Sequence, residues 1–365
     1  MKLDAYSHIL PPRYFARMRE LAVDTAALKR WLELDALHDV DARLRMMDEF
    51  GDGYQQVLTL SSPPIERLAT PRESPALARL ANESLHELCE RHADRFPAFV
   101  ASLPLNNPDA ALAELAYAID DLGARGVQLF TNVNGKPLDA PEFRDIFAEM
   151  ARRDLPIWLH PARGAAFADY ATEDTSRYEI WWALGWPYET SAAMARLVFS
   201  GLLEQHPSIK IITHHLGAMI PYLEGRIGLG WSDQLGSRTA GGDLDQLRET
   251  ALPHRPLGYF RRFYADTALS GSASGIRCGL DFFGVDHVLF GTDCPFDPEG
   301  GPGFIRETIR ALDALDLTVA ERARIYHGNV LRLMRLPDPP STPQRGRVRR
   351  PETELLNLLP PGSTG

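Results

Sequence analysis

Eight times along this chain, a short run of consecutive apolar residues precedes a stretch with helical spacing. The runs lie at 2–6, 55–60, 98–103, 127–130, 157–160, 209–214, 263–266 and 288–291. Their apolar residues are continuous rather than alternating, which is the pattern of a strand covered on both faces. The helical patterns fall at 42–49, 75–96, 109–122, 141–153, 189–205, 216–227, 274–283 and 303–315, with a further one at 320–334. Two open with Pro and an acid, Asn107-Pro108-Asp109 and Ala140-Pro141-Glu142. A first helical turn tolerates the missing N–H of proline and favours a carboxylate near the positive end of the dipole. Strand then helix, repeated eight times, predicts an α/β fold of the (β/α)₈ TIM-barrel type. Residues 9–38 and 162–188 are too long for simple strand–helix connections and are candidate lids or oligomer contacts.

From Pro337 the composition turns to Pro, Gly, Ser and charge. Such a stretch buries too little apolar surface to offset its ordering entropy. The expected division is a barrel over 1–337 and a Pro-rich tail over 338–365, disordered or wrapped on a neighbour. The tail's Arg345, Arg347, Arg349 and Arg350 read as a solvated cluster. The full chain of 365 residues carries 39 Lys and Arg against 49 Asp and Glu, a net charge of −10. With no basic run in the body, nucleic acid is not the expected partner. No window approaches ~18 uninterrupted apolar residues, so no membrane span is expected. The first strand is already broken by Asp4 and Ser7, unlike a signal peptide. Cys89, Cys278 and Cys294 form no C-x-x-C pair, which argues against a disulfide framework and a cysteine zinc site. A soluble, cytoplasmic enzyme is the expectation.

In a TIM barrel the chemistry gathers at the C-terminal ends of the strands. Here those ends read Tyr6-Ser7-His8, Leu159-His160-Pro161, Thr213-His214-His215, Asp266-Thr267 and Gly291-Thr292-Asp293. A single histidine at a strand end is usually structural. Imidazoles and carboxylates on five strand ends instead suit a divalent cation with an open position for water or substrate.

These residues sit in segments that resemble the amidohydrolase-2 group of the amidohydrolase superfamily, close to its 2-amino-3-carboxymuconate-6-semialdehyde and γ-resorcylate decarboxylases. The matching segments are KLDAYSHILP (2–11), VQLFTNVN (127–134), WLHP (158–161), WALGWPYET (182–190), KIITHHLGAMIPY (210–222), FYAD (263–266), LFGTDCPF (289–296) and GNVLRL (328–333). They occur in family order. The resemblance implies a barrel of the metal-dependent hydrolase type. It implies one divalent metal, zinc first and manganese second, held by His8, His160 and Asp293. His215, six residues before Pro221, matches the catalytic histidine, which makes His214 its neighbour. Trp182 matches a pocket tryptophan. Arg226 matches an arginine near a subunit interface and the substrate carboxylate, in a homodimer. A substrate arginine falls near Arg30.

Position 6 departs from the family, which has His, Glu or Asp there; this chain has Tyr6. Three readings stand. Tyr6 ligates weakly, it points away and leaves a three-ligand site with water, or the metal site is degraded. A neutral phenol is a poor ligand, with an ordinary pKa of ~10. The implied activity is non-oxidative decarboxylation of an aromatic or enol-like carboxylic acid, a carbon–carbon lyase reaction. His215 or Asp293 would carry the proton, and Trp182 and Phe296 would stack on a flat substrate. A metal-dependent hydrolase or hydratase would need nearly the same constellation. A non-catalytic ligand-binding barrel is the third reading, and Tyr6 is its support.

Overall fold

A computed structural model describes residues 1–21, 32–234 and 252–337. The barrel strands are β1 (Lys2–Ile9), β2 (Tyr54–Leu60), β3 (Ala98–Phe99 and, beyond Val100, Ala101–Ser102), β4 (Val127–Phe130), β5 (Ile157–His160), β6 (Ile211–Thr213), β7 (Tyr264–Asp266) and β8 (Val288–Leu289). Each pairs in parallel with the next. Val100 carries β3 from one neighbour to the other: its N–H donates to Leu58 O, and that of Ala101 donates to Gly126 O. The ring closes between β8 and β1, where Ala5 N–H donates to Phe290 O, His8 N–H to Cys294 O and Asp293 N–H to Tyr6 O. Closure leaves no sheet edge, and the architecture is the TIM barrel that the alternation predicts. Arg30 and the tail at 338–365 lie outside the described residues. No helix among the described residues is long and apolar enough to cross a membrane.

Below its mouth the barrel is filled rather than open. Trp158 on β5 is fully buried, and its indole N–H donates to Ala5 O on β1 at 2.9 Å. Leu3, Val57, Val100, Ile212 and Leu289 pack in the same cluster. Gly126 leaves room for the indole, since a Cβ there would stand 2.5 Å from its ring. This layer forms the floor beneath the strand ends.

Strand β1 carries a bulge. Asp4 pairs with Gln56 and Ser7 with Leu58, so three steps on β1 match two on β2. The extra residue resets which side chains face inward. Asp4 accepts from Tyr54 Oη at 2.8 Å and Thr292 N–H at 3.1 Å, whereas Tyr6 joins the interior cluster. Burial pushes the Asp4 carboxyl up to about 6, against the pull of those donors.

The predicted helices appear with shifted ends. They include Val40–Asp48, Ser74–Arg91, Pro108–Asp120, Ala273–Phe283 and Pro302–Asp313. The pattern at 141–153 begins as a 3₁₀ turn, Pro141–Phe143, and continues as Arg144–Arg153. That at 189–205 divides at Gly201 (φ +77°) into Gly185–Phe199 and Leu202–Gln205. That at 320–334 becomes Val319–Ala323, a wide turn Arg324–Gly328, and Asn329–Met334.

The expected helix at 216–227 is corrected over its first part: the chain is helical only from Glu224 on. His215, Leu216, Gly217 and Ala218 have φ of +55°, +55°, +72° and +55°, values a right-handed helix excludes. The apolar spacing there reflects a buried turn. Leu216 packs where a Cβ on Gly279 would stand, 2.3 Å away. The segment 162–188 carries the short helix Ile180–Ala183 and the first turn of Gly185–Phe199, and exposes Tyr170, Tyr178 and Leu184.

Candidate active site

Three imidazoles, the His8 ring steeply inclined to the other two, each have Nδ1 tied to an acceptor. His160 Nδ1–H donates to Pro161 O at 2.7 Å. His214 Nδ1–H donates to the carboxylate of Asp266 at the end of β7. His8 Nδ1 lies 3.1 Å from Thr59 Oγ1. The Thr59 hydroxyl spends its own hydrogen on Ser7 O at 2.9 Å, so it accepts from His8. In the neutral form of each ring these bonds place the hydrogen on Nδ1 and leave the lone pair on Nε2. The Nε2 atoms of His8 and His214 are buried and have no hydrogen-bond partner. One nitrogen from each of His8, His160 and His214 lies within 4.8 Å of the other two. Buried polar groups are ordinarily paired, so lone pairs converging in the interior are the donor set of a cation site.

Asp293 completes the cluster from the turn after β8. Its Oδ1 stands 3.2 Å from His8 Nε2 and 3.3 Å from His214 Nε2, and its Oδ2 stands 3.6 Å from His215 Nε2. Its own φ is +63°. With the left-handed run at 215–218, unfavourable backbone is concentrated around this cluster, as it often is where side chains are aimed for function. Asp266 steadies that run: its Oδ1 accepts from Leu216 N–H at 3.4 Å and Ala268 N–H at 3.0 Å. Gly291 is required by close approach, because a Cβ there would lie 2.8 Å from Asp266 Cβ.

The electrostatics separate the groups. Burial lowers the pKa of His8 and His215 and holds His160 well below the ordinary imidazole range. Burial also opposes charge on His214, but the carboxylates of Asp266 and Asp293 outweigh it and raise its pKa to about 10. Burial alone would raise Asp293, yet the His214 charge and the surrounding imidazoles keep it well below the carboxylate range. Tyr6 is driven well upward by burial and by the negative charges of Asp266 and Asp293, so the phenol keeps its proton here.

Of the residues singled out in the sequence, His8, His160, His215 and Asp293 come together. Tyr6 is fully buried beside them, stacked on the His214 ring at 3.9 Å between centroids, and its hydroxyl has no partner. The Phe296 ring lies 5.5 Å from that of His8. Trp182 stands further out on the exposed segment, donating to Glu179 Oε2 at 2.6 Å and 6.5 Å from the Trp186 ring. Trp186 is the indole that reaches the cluster, 5.6 Å from His160 and 6.4 Å from His215. Its position was legible only as part of a motif, since both tryptophans lie in the same segment. Arg226 is exposed at the start of Arg226–Gln234. Asp266 was visible as a strand-end acid, but its tie to His214 was not.

Residues 8–336 match the family described as amidohydrolase. A γ-resorcylate decarboxylase from Rhizobium sp. (strain MTP-10005) is 32% identical over 324 residues, covering 84% of this chain and 90% of that protein. A 6-methylsalicylic acid decarboxylase from Penicillium expansum is 30% identical over 341 residues, covering 91% and 95%. A solved dihydroxybenzoic acid decarboxylase from Polaromonas sp. JS666, with bound manganese and the inhibitor 2-nitroresorcinol, matches with a TM-score of 0.72. The match covers 92% of this chain and 96% of that one at 24% identity. The closed barrel, the five strand ends that meet at its mouth and a family match spanning nearly the whole described chain agree: this chain belongs to the amidohydrolase family, and its relatives set it among the carboxy-lyases of that superfamily.

Proposed function

We propose that this protein is a metal-dependent, non-oxidative decarboxylase of an aromatic acid with a hydroxyl group ortho to the carboxylate. The observation that carries the reading is the set of inward lone pairs: the orphaned Nε2 of His8, the anchored His160 and the carboxylate of Asp293. The names of the two curated relatives share a chemical feature, since γ-resorcylate and 6-methylsalicylate are both benzoates with an ortho hydroxyl. His8, His160 and Asp293 would hold a divalent cation, zinc or manganese. When bound, it would supply a positive charge that chelates the carboxylate and its neighbouring hydroxyl and orients the ring.

The residues of the chain then divide the remaining work. His215 Nε2, beside Asp293 Oδ2, moves a proton to the ring carbon that bears the carboxylate. That carbon becomes tetrahedral; its bond to the carboxyl carbon breaks, the electron pair restores the aromatic ring, and CO₂ leaves. Burial lowers the pKa of His215, so the ring is neutral at rest; it takes a proton from the substrate's hydroxyl group or from solvent, holds it briefly and passes it to the carbon. Trp186 and Phe296 flank the imidazoles and offer flat apolar walls to the ring. Trp158, fully buried, packs as the apolar floor beneath the strand ends.

The test is CO₂ release from a panel of benzoates by the manganese- or zinc-loaded protein in D₂O. The expected result is CO₂ from 2,6-dihydroxybenzoate or 6-methylsalicylate, one deuterium at the vacated carbon, and none from unsubstituted benzoate. No CO₂ from any acid, with oxygen-18 from water entering the product of an ester or amide, would replace this reading with hydrolysis.

A further inference from the structure

We infer that His214 is itself a metal ligand in this chain, occupying the coordination place that Tyr6 on strand β1 leaves empty. The inference rests on the metal-dependent reading above and adds to it a ligand that the resemblance treats as a bystander. Three observations carry it. His214 is fully buried, and its Nε2 has no hydrogen-bond partner although it lies 3.3 Å from Asp293 Oδ1. That nitrogen belongs to the same group of mutually close donors as His8 and His160. Its Nδ1–H is held by Asp266, the carboxylate-to-imidazole arrangement that orients metal-binding histidines and raises their basicity.

The spacing fits a shared ion. Two donors each about 2.1 Å from one cation at a tetrahedral angle stand roughly 3.4 Å apart. The observed separations from Asp293 Oδ1 are 3.2 Å to His8 and 3.3 Å to His214. Tyr6 supports the arrangement without competing for it. Its ring lies nearly parallel to the His214 imidazole, 19° between planes, so the phenol acts as a wall that keeps the imidazole edge turned toward Asp293. The donor set is then His8, His160, His214 and Asp293, drawn from the ends of β1, β5, β6 and β8. His215 also lies close to His214 and Asp293, with its Nε2 3.6 Å from Asp293 Oδ2, but not in the group with His8 and His160; it is the imidazole left for proton transfer. The rival arrangement keeps His214 as an imidazolium bridging Asp266 and Asp293, with no place for the metal on its Nε2.

Cobalt(II) binding decides between them, read by visible absorption and by competition against a chelator, independently of turnover. The wild-type protein should bind one cobalt per chain. His214→Ala should weaken binding at least about 100-fold and change the ligand-field spectrum, while Tyr6→Phe should stay within about threefold. Asp266→Asn should lose about 10–100-fold. Circular dichroism establishes that each variant is folded. The double variant Tyr6→His, His214→Ala, which returns a donor to β1, should recover binding to within about tenfold of wild type. A folded His214→Ala protein with unchanged affinity and spectrum would overturn the inference and leave the decarboxylase reading standing. A wild-type protein that takes up no cobalt would overturn both.

Discussion

The barrel mouth has two unlike halves. Strands β2, β3 and β4 present neutral polar groups that bond to the main chain. Thr59 donates to Ser7 O and Gln128 Nε2 donates to Leu60 O; the main chain of Ser102 on β3 is held by Asn82 of the helix Ser74–Arg91, which donates to Ser102 O and accepts from Ser102 N–H. Strands β5, β6, β7, β8 and β1 present His160, His214, Asp266, Asp293 and His8. Both halves belong to one ring of parallel strands, joined at Val100 and between β8 and β1, and are similarly buried, so the fold does not account for the difference. In the first half the bonds that are made hold strand ends in place, and the buried atoms left without a partner are neutral oxygens: Ser61 Oγ, Ser102 Oγ and Gln128 Oε1. In the second, bonds are spent on aiming imidazoles whose far nitrogens stay unpaired. Burying an unpaired polar group costs about 1–3 kcal/mol. The contrast is therefore one of kind: the unpaired atoms of the second half are imidazole nitrogens gathered around one carboxylate.

The largest expected effect breaks the charged half. Asp293→Ala removes the carboxylate that three imidazoles approach. It should lower kcat/KM for CO₂ release by about 10³-fold or more while the protein stays folded. Steady-state assays with circular dichroism check this, and a variant with near-native turnover would remove Asp293 from the mechanism.

Trp158 tests whether the charged half also contains pure structure. Trp158→Ala should cost about 3–5 kcal/mol by emptying the barrel floor and freeing Ala5 O. Chemical denaturation would show it. A loss below 1 kcal/mol would mean that the interior collapses around the gap.

The neutral half also holds a carboxyl, Glu66, just after β2. Burial pushes it up to about 7 from an ordinary 4.5. The folded protein thus keeps a proton that the unfolded chain releases. Its contribution to stability is full below pH 4.5 and is lost as pH rises toward 7, by about 3 kcal/mol at most. Melting temperature measured from pH 4.5 to 7 should fall, and Glu66→Gln should flatten that slope. Identical slopes would show that Glu66 titrates alike in the folded and the unfolded chain.

Asn82→Ala is the mildest break. It removes both bonds to Ser102 and one to Glu114, at an expected cost of about 2 kcal/mol. Because Asn82 serves the neutral half, kcat/KM at 25 °C should stay within twofold. A tenfold loss would mean that the two halves are mechanically coupled.

The alternation of apolar runs and helical stretches determined the barrel, its strand order and the set of strands that end in ionisable groups. Those properties follow from residue type and spacing, because a parallel strand needs apolar residues on both faces and its chemistry sits at one end. The family resemblance of the motifs followed from the same local stretches. The roles of His214 and His215 were a different matter. Adjacent residues on a strand point to opposite faces, so the sequence offers one of the two for the site. The left-handed turn that starts at His215 cancels that alternation and brings both rings together, 3.9 Å apart, against Asp293. The bulge in β1 likewise sends Asp4 outward and Tyr6 inward although they are two residues apart. Both outcomes depend on backbone turns stabilised by partners distant in the chain, Asp266 for the first and Tyr54 and Thr292 beside the second. Spacing within a segment carries no record of such partners, so only the assembled barrel decides where these side chains point.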